Sequence, residues 1–593
     1  MPEQSNYWMP SYWTRKTLSR RQALRRLGIA GGGLAALSLV GCGGDDDDDS
    51  DGGSTTGSSG GGAASPTAAS GGASTAVDST QGTPGGKFVQ QTSGFLGSII
   101  LVTGGAEGLA SRTHSSLVQF AYGRKEPEGG NGLSLQLETD LAASLPEQAD
   151  ELTYTYKLQP ANFHNGTPVT AEDVKYSIER SATHPETRNA RFWVPWLDSV
   201  EAPDAETVVV RSKAPYTDVQ NVLAVYLRVM SQAHEEGPDA ERTMMGSGPW
   251  IFQDTQPPVI VRFRRNPDYF QKPYPYFDEM DLLGPTDDAK QLADFASGQT
   301  HMTYWRGEIE RDRIKDARSD ATLFQYPYSS MNFFMRADQD PWQDKRVRQA
   351  MSMSMDRARF AEVTSLGEGE PDQALSWIFP DYGTRRPDEL GASAKLFEYN
   401  PDEARKLLSA ANVTLPIQTE MWHWNSSVVG QAYVDGATFV QASLRELGFV
   451  EFEDHETTHP QATEGWLVGN YSGTCFFIGD GGGFVYNTPA SRVQSTFSAP
   501  DGAVTPPTDN RPHAVNTRLT ELAAKQAETL DSEARKGVFR EMEEIIADEM
   551  YVVNYTTQQR NFFLDPKVSD NAQVPLWAYG ADGAYLKYWW FKE

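Results

Sequence analysis

Cysteine is nearly absent, with Cys42 and Cys475 the two examples in 593 residues. Neither a disulfide framework nor a multi-cysteine zinc or iron–sulfur site can be assembled from two thiols. Basic charge is also short: 52 Lys plus Arg stand against 80 Asp plus Glu, a formal net charge of -28. Phosphate backbones need a cationic face, so this balance argues against a nucleic-acid partner. No Gly-x-Gly-x-x-Gly loop or Gly-Lys-Ser/Thr phosphate loop occurs, which removes the usual signatures of a dinucleotide enzyme and an NTPase. No cofactor is called for. The apolar run over residues 27–41 covers only about 22 Å as a helix, short of the roughly 30 Å hydrocarbon core of a bilayer.

That run does have a meaning at its place in the chain. Ser19-Arg20-Arg21-Gln22-Ala23-Leu24-Arg25 precedes it, and the positive-then-apolar order is that of an export signal. It ends in Leu39-Val40-Gly41-Cys42, which resembles a bacterial lipobox. The resemblance implies a signal peptide over 1–42 and a diacylglycerol on Cys42, anchoring the protein at the outer face of the cell membrane. Arg20-Arg21 resembles the twin-arginine address, with Ala23 in place of its Phe; the general secretory route is the alternative. From 43 to 86, 42 of 44 residues are Gly, Ser, Thr, Asp, Ala or Pro, a composition that cannot build a core and acts as a tether of roughly 35–40 Å reach. Asp47-Asp48-Asp49-Ser50-Asp51-Gly52 imitates the start of a calcium loop, but its twelfth position is Ser58 and a bidentate Glu is required there.

From residue 87 hydrophobic periodicity returns. Residues 152–158 and 207–211 alternate and predict strands. Thr170 and Asp173 form a capping box for a helix over 171–180. A helix is expected over 344–360, packed through Val347, Ala350, Met351 and Met355. Met351, Met353 and Met355 read as core and not as a soft-metal site. Another helix starts with Asn400 as cap and Pro401 at its first position. Helical spacing recurs over 431–447 and 532–550, the latter leading into an extended segment at 551–556. Strands alternating with long helices give an α/β class.

Six segments, in order, resemble family 5 of the bacterial extracellular solute-binding proteins, the receptors of oligopeptide, dipeptide and nickel ABC importers. They are Phe163-His164-Asn165-Gly166-Thr167-Pro168-Val169-Thr170-Ala171-Glu172-Asp173-Val174-Lys175-Tyr176-Ser177, Gly246-Ser247-Gly248-Pro249-Trp250-Ile251-Phe252, Asn266-Pro267-Asp268-Tyr269-Phe270, Arg346-Val347-Arg348-Gln349-Ala350 with Asp356-Arg357, Tyr399-Asn400-Pro401-Asp402-Glu403-Ala404, and residues 444–448. The resemblance implies a two-lobed periplasmic-binding-protein-like fold of type II, in its large three-subdomain form. Lobe I would span 87–326 with an inserted subdomain at about 119–239, lobe II 327–552, and 553–593 would return to lobe I. The chain would cross between lobes near 325–328 and 551–555. A monomeric, non-enzymatic receptor is implied, closing on a solute and presenting it to ABC permease subunits.

In peptide-binding relatives a Trp-x-x-Asp segment offers its carboxylate to the peptide's ammonium group. Phe477-Ile478-Gly479-Asp480 stands in that place, making Asp480, with Gly479 and Phe477, the leading ligand candidate. Phe477 replaces the Trp, and Gly481-Gly482-Gly483 replaces the usual Tyr-x-Asp-Pro. Trp422, Trp424 and Asn425 stand where relatives place a pocket-lining strand end, Trp305 follows another shared segment, and Arg336 could meet a ligand carboxylate. Aromatic faces also suit sugar rings, so an oligosaccharide is the alternative cargo.

His455-Glu456-Thr457-Thr458-His459 matches the zinc-protease pattern, which requires a helix to place both histidines on one face. Its two Thr, the following Pro460 and the alternating stretch 449–452 before it oppose a helix there.

Overall fold

Period-two alternation sets most of the strands. The computed structural model describes residues 82–92, 99, 107–121, 137–184, 187, 190–284, 286, 288–306, 308–377, 379, 382–426, 430–458, 461–462, 465–478, 489–497, 511–569 and 582–592, all inside one compact unit, Val77–Glu593. Cys42 and the tether up to residue 81 lie outside them. The described strands are β1 (Lys87–Gln91), β2 (Val118–Phe120), β3 (Leu137–Thr139), β4 (Glu147–Asp150), β5 (Thr153–Lys157), β6 (Leu197–Asp204), β7 (Thr207–Ser212) and β8 (Trp250–Gln256). They continue with β9 (Ile260–Arg265), β10 (Glu279–Leu283), β11 (Met302–Arg306), β12 (Thr322–Met335), β13 (Ile417–Trp424), β14 (Val450–Thr457), β15 (Thr474–Ile478) and β16 (Val552–Leu564).

Ten of these make one mixed sheet in the order β14-β13-β15-β12-β16-β11-β1-β10-β9-β8. Its middle is a ribbon of β12 and β16, antiparallel from Thr322↔Leu564 to Phe334↔Val552, with register shifts between Pro327 and Ser329 and between Ser330 and Asn332. β11 joins only the Arg560 to Leu564 end of β16, and β15 joins only the Met331 to Met335 end of β12. The sheet is therefore two half-sheets connected by a waist two strands wide. The stretch 325–328, expected as a crossing, and all but Tyr551 of the segment expected to be extended at 551–556 fall in this ribbon, whose strands run longer than local sequence predicts because each completes the other's ladder.

A separate four-stranded sheet, β4-β5-β7-β6, packs Tyr154, Tyr156, Val208 and Val210 against Val174 and Ile178 of helix α1 (Ala171–Thr183). Asp173 accepts the Thr170 N–H at 2.9 Å, so the expected capping box forms. The expected single helix over 344–360 is instead two, α2 (Lys345–Met353) and α3 (Arg357–Ser365). Asp356 explains the break: its carboxylate accepts the Arg359 N–H at 3.0 Å, and an N-cap residue leaves helical geometry. Met351, Met353 and Met355 are all buried. Helices α4 (Pro401–Ala410), α5 (Gln431–Glu446) and α6 (Ser532–Glu549) follow. Asn400 accepts the Glu403 N–H at 3.1 Å as the cap of α4. No described helix is long and apolar enough to cross a membrane.

Three of the sequence segments singled out above meet at one point. The His164 N–H donates to Gly246 O at 2.9 Å, and Gly248 N–H to Thr113 O at 2.8 Å. His164 Nε2 lies 3.1 Å from Gly248 O, and Asn266 Nδ2 donates to that same oxygen at 3.0 Å. A Cβ at Gly248 would stand 2.6 Å from the Thr113 carbonyl carbon, so glycine is required by close backbone approach.

Candidate functional site

β13 pairs in parallel with both β14 and β15, and the carboxyl ends of the three strands fall at Trp424, Thr457 and Ile478. In open α/β sheets the crevice beyond such ends is where ligands settle. Trp424 is in register with Thr457, and Trp422 with Cys475. Side chains alternate by two along each strand, so Trp424, Thr457 and Phe477 share a face.

On that face Trp424 and Phe477 lie 5.1 Å apart, centroid to centroid. Trp466 closes over both, edge-on to Trp424 at 5.3 Å and to Phe477 at 6.0 Å, and its Nε1 donates to Thr457 Oγ1 at 2.9 Å. The Arg511 guanidinium sits 3.9 Å from the Phe477 ring centroid, a cation–π geometry worth more when desolvated, and Arg511 is buried. From the opposite face α5 presents Tyr433, whose hydroxyl donates to Phe476 O and accepts the Trp424 N–H at 3.4 Å. Asn425 turns the chain out of β13, its N–H donating to Thr457 O at 2.9 Å. Cys475 is buried next to this floor, and burial pushes its thiol up to about 12, so it offers no thiolate nucleophile.

The structure brings together some of the residues singled out from sequence and separates others. Trp424 is 2% exposed and Phe477 6%, so both form a packed floor whose rings are spent on each other and on Trp466. Trp422 is half-buried, its Nε1 donating to Glu420 Oε2 at 2.9 Å, with its ring stacked on His455 at 4.1 Å. Arg336 is held by Asp338 through two bonds of 2.7 and 2.8 Å and donates to Tyr471 O; an internal pair occupies it. Trp305 sits in β11, paired with Asn561, and three strands separate it from β13 in the sheet. Gly479 and Asp480 lie outside the described residues, directly after β15. His455 and Glu456 are consecutive residues of β14, so they project to opposite faces, and the helix that the zinc-protease pattern needs is not formed; His459 lies outside the described residues. Sequence reasoning missed Trp466, Tyr433 and Arg511, which join the floor through contacts between segments far apart in the chain, for which no local pattern exists.

Residues 136–499 match the family described as bacterial extracellular solute-binding proteins, family 5, middle. A Brucella ovis protein carrying the name of an ABC transporter peptide-binding protein is 27% identical over 327 residues, 52% of this chain and 58% of its own length. The chain thus matches somewhat more than half the length of that curated relative. In overall fold the chain is similar to the binding protein AgaA of A. tumefaciens R10, solved in complex with agropinic acid, at a TM-score of 0.71 and 19% identity, covering 86% of this chain and 99% of that one. It is similar to the same degree to the periplasmic binding protein DppA of Helicobacter pylori, solved with the peptide STSA, at a TM-score of 0.71 and 17% identity, with the same coverage of both chains. The fold is the two-lobed, type II periplasmic-binding-protein fold.

Proposed function

Because this chain belongs to family 5 of the bacterial extracellular solute-binding proteins, we propose that it is the lipid-anchored receptor of an ABC importer, which captures a peptide by lobe closure and delivers it to a membrane permease. The observation that carries the proposal is the pairing of a hinge with a wall. A waist two strands wide joins the half-sheets, and a rigid aromatic floor with a buried cation stands at the strand ends of one of them. In the proposal lobe I is 87–326, lobe II 327–552 and 553–593 the return, with Cys42 as the anchored residue.

A trap of this kind needs one wall that does not yield and one group that reads the cargo. Trp424, Phe477 and Trp466 supply the first, since their mutual packing fixes the backbone from which residue 479 departs. Asp480, by its place in the family pattern, is the candidate for the second: a carboxylate enclosed with a peptide is compensated by the ammonium of the peptide's first residue through charge-assisted hydrogen bonds. Ligand contacts made only in the closed state shift the lobes toward closure.

Heat-denaturation of the purified protein in the presence of a metal chelator, against libraries of short peptides and of oligosaccharides, tests this. A ligand at one hundred times its Kd adds about 2.7 kcal/mol of apparent stability. Free peptides are expected to raise the midpoint, N-acetylated versions of the same peptides to fail, and Asp480→Ala to lose the response. Stabilisation by oligosaccharides alone overturns the peptide assignment.

A further inference from the structure

Beyond Trp424, towards the amino ends of the strands, the same sheet face carries a second constellation. Glu420 is in register with Glu453 on the neighbouring parallel strand, and Trp422 with His455. All four side chains therefore lie on one face of the β13–β14 pair. Carboxylates directly across a ladder repel each other, and among the described residues no lysine or arginine forms an ion pair with either. One ligand-capable atom from each of Glu420, Glu453 and His455 lies within 4.8 Å of the others.

The detail around these atoms is that of ligands already oriented. His455 Nε2 is closed off from solvent and makes no hydrogen bond; the nearest acid to it is Glu453 Oε1 at 3.7 Å. That is too long for a hydrogen bond and close to the roughly 3.4 Å separating two ligands bound at about 2.0–2.2 Å to one tetrahedral ion. The imidazole plane is fixed by Trp422, stacked at 4.1 Å and 11°. Trp422 Nε1 and Ser472 Oγ both donate to Glu420 Oε2, at 2.9 and 2.6 Å, which holds the carboxylate in place. Outer contacts of this sort orient metal ligands. The Glu453 side chain is 75% exposed, so an ion can enter from solvent.

We infer that Glu420, Glu453 and His455 bind one divalent transition-metal ion, with water completing its coordination. An imidazole with two carboxylates selects zinc or nickel over the all-oxygen preference of magnesium and calcium. The ion fastens the edge strand β14 to β13. It uses one histidine of the His-Glu-x-x-His segment and neither Glu456 nor His459, so the site is distinct both from a protease centre and from the peptide site.

Zinc titration of the purified full-length chain, stripped with a chelator and followed by competition with a chromophoric zinc indicator, decides the matter. One equivalent is expected to bind, with at least tenfold weaker binding in E420Q and E453Q and none in H455A, while E456Q and H459A match the wild type. Zinc is expected to raise the thermal midpoint of the wild type and not that of H455A, and equimolar magnesium or calcium not to compete. Peptide-induced stabilisation of each variant, measured in chelator, reports that it is folded and separates this result from the transport proposal. Absence of stoichiometric zinc in the wild type, retention in E420Q and H455A, or dependence on His459 overturns the inference.

Discussion

His114 and His164 are held neutral inside the protein. Burial pushes His114 down to about 3, helped by the charge of Arg228. Burial likewise lowers His164 to about 4, although its bond with the Gly248 carbonyl pulls the other way. An unfolded histidine titrates near 6.5, so below that pH the unfolded chain binds protons that the folded one refuses. Stability from these two residues is then complete above about pH 6.5 and is lost progressively as the pH falls toward 4 and 3. Unfolding free energies from urea titrations at pH 7.5 and 4.5 should differ by an amount on the order of a few kcal/mol, lower at the acid end, and His164→Gln should flatten the slope. His423 acts in the opposite sense. Burial lowers its pKa, but the hydrogen bond and charge of Asp454 outweigh this and raise it, so its contribution is present below about 6.5 and fades above its folded pKa. His164 was visible in the sequence only as part of a family segment. Its role could not be read there, because the partner Gly248 is 84 residues away.

At the scale of elements, local chemistry was legible and long-range pairing was not. The caps at Thr170 and Asn400 are where side-chain spacing places them, whereas Asp344, expected as the first residue of its helix, is the cap of α2 and accepts the Arg346 N–H at 2.9 Å. Asp356 was read past, since the helical spacing of Val347, Met351 and Met355 was carried on to residue 360. The cap wins because Arg357, the first residue of α3, is buried and donates to Asn554 O at 2.8 Å and Phe397 O at 2.8 Å, which fixes the new helix's direction. Asp356→Ala should therefore cost about 1 kcal/mol, read as a lower urea midpoint with an unchanged slope. The candidate site was half legible. Phe477 and Trp424 were found by their places in a family pattern, but that they form a floor and not an open wall follows from Trp466 and Arg511, brought in by tertiary packing. The stack of Trp422 on His455 depends on the register of two strands, which no single segment encodes.

For the whole molecule, residues 582–592 are stitched to strand β1. Trp589 meets Phe88 edge-on at 6.0 Å. Lys587, fully buried, donates to Gln271 at 2.8 Å and to the Tyr269 hydroxyl at 3.1 Å. Both belong to the same half as β1 and β8 to β10, so these contacts brace that half and leave the proposed closing motion to the waist. Small-angle scattering should accordingly give a smaller radius of gyration with a bound peptide than without. Amide exchange in β12 and β16 should stay slow in both states, because their ladder persists. Fast exchange along β12 on closure would instead place the hinge in a melted segment.

A waist two strands wide also determines how the molecule returns. Rotation of one half against the other winds a ribbon whose natural twist is large and variable, without parting any of its rungs. If the lobes close as proposed, such a ribbon acts as a torsion spring, and work done in winding it is given back when the lobes part.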